Sequence, residues 1–261
     1  MTGESEPLLE GTLISHLLEL RTRLMRAFIA VVLVFIPCAF YSNQLFEWLS
    51  HPLLQQLPAH SMLISTSITA PFTTPLKLAF VAALVVTMPY ILYELWAFIA
   101  PGLYRHEKGF AVPLLVSAVI LFYVGVAFAY FIVFPLIFGF FVNTTPRGVQ
   151  LMADISMYME FVLMLMFSFG IAFEVPVAVV LLVMMGLVPL EKLTQIRGYV
   201  LIAVFIIAAI LTPPDAISQT VMAVPMYLLY EGGILMARLM ARSREKAKKP
   251  EGPEAGPQGE K

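Results

Sequence analysis

Charge, cysteine and catalytic motifs are all scarce in this sequence. Only 13% of its 261 residues are charged, while 60% are hydrophobic. A soluble domain carries roughly 25% charged and about 45–50% apolar residues. So little polar surface cannot clothe a water-facing globule, and the mean hydropathy of +0.87 agrees. The chain is read as an all-α, polytopic membrane protein. A net charge of −1 supplies no field that would draw nucleic acid. The single Cys38 can form no intramolecular disulfide, and there is no CxxC pair for zinc or redox chemistry. His16, His51, His60 and His106 are scattered among segments on both sides of the hydrophobic runs, so no metal cluster is expected. HExxH, GxSxG, P-loop and GxGxxG patterns are missing. Asp154 and Asp215 both fall at span ends, which disfavours an intramembrane aspartyl pair. No enzyme activity and no cofactor are expected. The acidic start, MTGESEPLLEG, lacks the basic region of a cleavable signal peptide, and no solenoid repeat is visible.

Six continuous apolar runs take the place of these motifs. They cover about residues 24–40, 76–100, 110–134, 161–185, 198–211 and 216–237. None alternates, so they read as helices and not as barrel strands. The fifth has 14 residues, about 21 Å at 1.5 Å per residue, short of a roughly 30 Å hydrocarbon core. It pairs with the sixth around Thr212-Pro213-Pro214-Asp215, with Asp215 as the expected N-cap of the last helix. Fourteen of the sixteen Lys and Arg residues lie in the terminal segments and in the loops after runs 2 and 4; Lys77 and Arg147 alone lie opposite. That asymmetry places both termini in the cytoplasm. The 41–75 loop has no Lys or Arg but keeps Leu45, Phe46, Trp48 and Leu49, so it is expected to lie along the membrane. Residues 1–240 form the membrane domain, and 241–261 are expected to be a disordered charged tail.

Few polar residues stand out. Leu13, Leu17, Leu20 and Leu24 form one stripe of a helix running into span 1, with His16, Glu19, Arg23 and Arg26 opposite and Thr12 as its cap. By spacing, Glu19 and Arg23 make an ordinary i,i+4 pair. Pro101-Gly102 ends span 2, and Glu107 suits the N-terminus of span 3. Phe98 and Leu103 flank that break. Glu174 lies mid-membrane with no Lys or Arg in its span, so it is expected to rest in the neutral form. Pro176 is expected to kink the helix there. Gln219 could bond across helices, and Glu94 and Glu160 read as interfacial.

HLLELRTRL, FIAPGLYRHEK, the FxxGxxFAYFxxFP pattern of span 3, FGIAFEVPV and LTPPD…SQT occur in order. Together they resemble the TatC family of twin-arginine protein translocases, over residues 8–240. The resemblance implies a curved six-span scaffold in a bacterial inner membrane. It implies a receptor for twin-arginine signal peptides of folded cargo, acting with single-span TatA-like and TatB-like partners, self-associating, and driven by the proton gradient. Glu19 and Glu107 would hold the arginine pair, with Phe98 and Leu103 beside them. Glu174, with Gln219 nearby, would meet partner helices. A proton-coupled secondary transporter using Glu174 is the alternative; it would call for an internal repeat.

Overall fold

The computed structural model describes residues 6–56, 64–99, 108–146, 152, 154–212 and 215–248. Among the described residues ten α-helices follow one another: α1 (Glu6–Phe40), α2 (Ser42–Gln56), α3 (Ala70–Ile99), α4 (Lys108–Phe128), α5 (Phe134–Thr144), α6 (Ile155–Ala172), α7 (Val175–Met184), α8 (Leu190–Gln195), α9 (Arg197–Leu211) and α10 (Ala216–Lys248). Among the described residues, five helical stretches are long and apolar enough to cross a membrane: Ile14–Phe40, Ala70–Ile99, Val112–Thr144, Ile155–Met184 and Ala216–Arg242. Arg197–Leu211 is a shorter apolar helix, within a residue of the expected fifth run. Among the described residues, an isolated bridge joins Ile64 and Asp154.

Prolines account for most departures from regular helix. Pro176 has no N–H to offer the Ala172 carbonyl, and the fourth run breaks at Phe173–Glu174 into α6 and α7, with Pro176 in the first turn of α7. Pro135 acts differently. The residues just before it, Ala129–Val133, widen into a π-turn in which the Phe134 N–H bonds the Ala129 carbonyl. The helix then continues as α5 to Thr144, ten residues past the expected end at 134. Pro89 leaves the Val85 carbonyl without its helical donor, and the Tyr123 hydroxyl of α4 donates to it at 3.1 Å.

Other boundaries shift as well. α1 starts at Glu6, so Thr12 is inside the helix and does not cap it. α10 runs on to Lys248 as one continuation of the sixth run, overrunning the expected boundary at 240. Asp215 does cap α10, its Oδ1 accepting the Ser218 N–H at 2.7 Å. Within the 41–75 loop, α2 packs against α3, with Leu49 buried and Trp48 stacked on Tyr130.

Two apolar clusters hold the helices together. One gathers Leu49, Phe134, Tyr158, Phe169 and Met222 at the end carrying α2. The other gathers Leu92, Trp96, Phe122, Val180 and Ile234 toward the end carrying α8. In lipid, apolar burial gives helices little reason to associate, so close packing at small residues matters more. A Cβ on Gly125 would lie 2.5 Å from the Phe169 carbonyl oxygen, and one on Gly233 would lie 2.9 Å from Pro176 Cα. These glycines let α4 approach α6 and α10 approach α7. By contrast, only 6% of the most apolar window of α1 is buried. α1 leans chiefly on α3, and its outward Phe28, Leu33 and Phe40 need a lipid or protein neighbour.

Candidate functional site

The contact between α1 and α3 assembles a polar cluster that no single segment announces. Arg23 on α1 donates from Nε (3.0 Å) and Nη2 (2.7 Å) to Oε1 of Glu19, one turn earlier. Its Nη1 donates to Glu94 Oε2 on α3 at 3.0 Å. The other Glu94 oxygen accepts the Tyr90 hydroxyl at 2.9 Å. One guanidinium therefore bridges two carboxylates. Exposure is graded across it: the side chains of Glu19, Arg23 and Glu94 are 38%, 21% and 6% exposed. Glu94 is buried against Arg23, and an unpaired charge in an apolar setting would be costly.

Phe98 lies one turn beyond Glu94 and stacks on His16 of α1, with ring centroids 4.2 Å apart. It closes one end of an apolar groove of about 140 Å³ between α1 and α3, which also takes in Leu20, Leu24, Ile91, Leu95, Arg23 and Glu94. On the other side of Arg23 is an open depression of about 300 Å³ formed by Leu18, Glu19, Thr22, Arg23 and Arg26. The structure thus brings Glu19 and Phe98 to one site. Glu107, Leu103 and Pro101 fall outside the described residues, as do Pro213 and Pro214.

Glu94 is the residue that sequence reasoning missed. It is not a headgroup-facing carboxylate but the buried partner of Arg23. The available signal was Tyr90, four residues earlier on the same helical face. A second copy of this device links α9 to α10: Arg197 Nη2 donates to Glu231 Oε2 at 2.7 Å, and the Tyr227 hydroxyl to Glu231 Oε1 at 3.0 Å. That pair holds one carboxylate, not two. Glu160 is exposed and paired with Lys77 of α3, so it ties α6 to α3.

Glu174 sits at the α6–α7 break, half-buried, and its Oε1 has no hydrogen-bond partner among the described residues. Its neighbours Phe173 and Pro176 line an apolar groove of about 450 Å³, with Phe128 of α4 and Pro225 and Gly232 of α10. Gln219 lies on the first turn of α10, before the Pro225 and Gly232 that line this groove. Among the described residues, no group of three or more His, Cys, Asp or Glu could hold a metal ion.

A family model described as "Sec-independent protein translocase protein (TatC)" matches residues 15–225. A protein of that name from Escherichia coli (strain K12) is 50% identical over 236 residues, covering 89% of this chain and 92% of the relative. One from Haemophilus influenzae is 49% identical over 235 residues, 90% of each chain. A crystal structure described as the twin arginine translocase receptor TatC superposes with a TM-score of 0.79 at 38% identity, covering 87% of this chain and all of that one.

Proposed function

The chain belongs to the TatC family of Sec-independent protein translocase proteins, transport components and not enzymes, and from that premise we propose that it is the signal-peptide receptor of a twin-arginine translocase. It binds the consecutive arginines of a folded precursor's signal peptide through Glu19 and Glu107, on the cytoplasmic side of a bacterial inner membrane. Phe98 and Leu103 provide the adjoining apolar contact. The observation that supports this reading best is the guanidinium already seated on Glu19, beside a groove that ends at Phe98. A charge-assisted contact of this kind favours Arg, because the planar guanidinium aims several N–H groups at once and a lysine ammonium does not.

Both termini are cytoplasmic in this reading. Glu174, whose buried Oε1 lacks a partner among the described residues at the α6–α7 break, meets single-span TatA-like and TatB-like helices with Gln219 in the same polar region, and copies of the chain associate. Cargo export is driven by the proton gradient.

Crosslinking of a twin-arginine precursor to Glu19→Ala, Glu107→Ala and wild-type protein tests the site. Contact should fall sharply in both variants. Undiminished crosslinking in both removes the assignment.

A further inference from the structure

Arg23 is the wall between two spaces. On one side is the polar depression over Glu19, and on the other the apolar groove that reaches Phe98. Among the described residues, it is the guanidinium that contacts two carboxylates. Resting on the receptor reading above, we propose that Arg23 is a built-in stand-in for a peptide arginine: an incoming guanidinium takes its seat between Glu19 and Glu94, and Glu94 with Tyr90 thereby belongs to the binding site.

Three observations carry this. The spacing of Glu19 and Glu94 accepts a planar guanidinium, since Arg23 donates to both at 2.7–3.0 Å. The exchange conserves ion pairs: a guest bonds the same carboxylates, so buried Glu94 is never left without a cation. Arg23 has somewhere to go. Its side chain is already 21% exposed, and a long basic side chain just before an apolar run, as Arg23 is before residues 24–40, can extend to headgroups. Once it withdraws, the depression and the groove become one cleft, polar at the arginine end and apolar beyond. That matches a peptide in which arginines precede an apolar stretch. Arg197 is paired with a single carboxylate, Glu231, so the same role does not extend to it.

The competition also sharpens selectivity. A guest must outbid a resident guanidinium for two carboxylates, and an ammonium, which cannot fork across them, is poorly placed to do so.

The test is equilibrium binding of a fluorescent synthetic peptide, with two arginines followed by an apolar segment, to the full-length protein in detergent. A two-lysine peptide is the control. Glu19→Gln should weaken binding about tenfold, and Glu94→Gln should do so as well. Arg23→Met should tighten binding about threefold to tenfold, because the competing internal occupant is gone. Arg23→Lys, which keeps the charge and so protects folding, should tighten it in the same direction. The two-lysine peptide should gain less than the two-arginine one. Undiminished binding in Glu19→Gln sinks the receptor reading itself. Loss in Glu19→Gln with unchanged or weaker binding in Arg23→Lys sinks the stand-in and leaves the receptor reading intact. Unchanged binding in Glu94→Gln removes Glu94 from the site.

Discussion

Replacing Arg23 with Met should cost much more stability than its place on a thinly buried helix suggests. The change removes three hydrogen bonds: two to half-exposed Glu19 and one to Glu94, whose side chain is 6% exposed. The Glu19 part is small, since an i,i+4 ion pair at this exposure contributes about 0.3–0.5 kcal/mol. The Glu94 part dominates. Its carboxylate would keep only the Tyr90 hydroxyl, and stranding one member of a buried ion pair costs about 3–5 kcal/mol. Arg23 itself is partly solvated, so the low end, about 3 kcal/mol, applies. For a chain of this size that is a fall in Tm of roughly 6–12 °C. Glu19→Gln should shift Tm by about 2 °C or less. Adding Glu94→Gln to Arg23→Met removes the stranded charge and should restore about 1–3 kcal/mol as coupling between the sites. Thermal unfolding of purified protein in detergent, followed by intrinsic fluorescence, measures all of these. Equal small shifts in Arg23→Met and Glu19→Gln, with additive behaviour in the double variant, would refute the argument, because they would show that Glu94 is not a buried charge held by Arg23.

Two further outcomes concern packing and pH. Gly233→Ala places a methyl 2.9 Å from Pro176 Cα, a backbone atom that cannot turn aside. The α7–α10 contact should lose about 1–3 kcal/mol, whereas Gly139→Ala, with nothing within 4 Å, should be neutral or stabilising on the same unfolding assay. At the end carrying α2, hydrogen bonds from the Thr66 hydroxyl and backbone N–H and from the N–H groups of Met157 and Ser156 hold the Asp154 carboxyl at about 2, below its ordinary 3.8. A carboxyl depressed on folding adds stability above its unfolded value and loses it as pH falls through the folded one. The Tm gap between wild type and Asp154→Asn should therefore be full at pH 6, shrink below about pH 4 and close near pH 2. A gap that persists unchanged at pH 2 would contradict this tie.

Much of the architecture was legible because membrane spans are announced by length and hydropathy within one continuous segment. The short fifth run matched α9 to a residue, and Pro176 marked the α6–α7 break. Span 3 was misjudged because Pro135 reads locally as a stop. Nothing in the local sequence shows that a π-turn absorbs the proline and lets the helix run on to Thr144.

The candidate site divides along the same line. Glu19 and Phe98 were reachable from ordered motifs, and the Glu19–Arg23 pair from helical spacing alone. The sequence by itself determined that this chain lives in a membrane as helices, since its composition leaves no other way to satisfy its backbone and apolar surface. Only the tertiary structure decided that α1 lies along α3, which makes Arg23 the shared partner of Glu19 and Glu94, 71 residues apart. Distances between side chains on different helices depend on how the helices pack, and no periodicity within either helix encodes them.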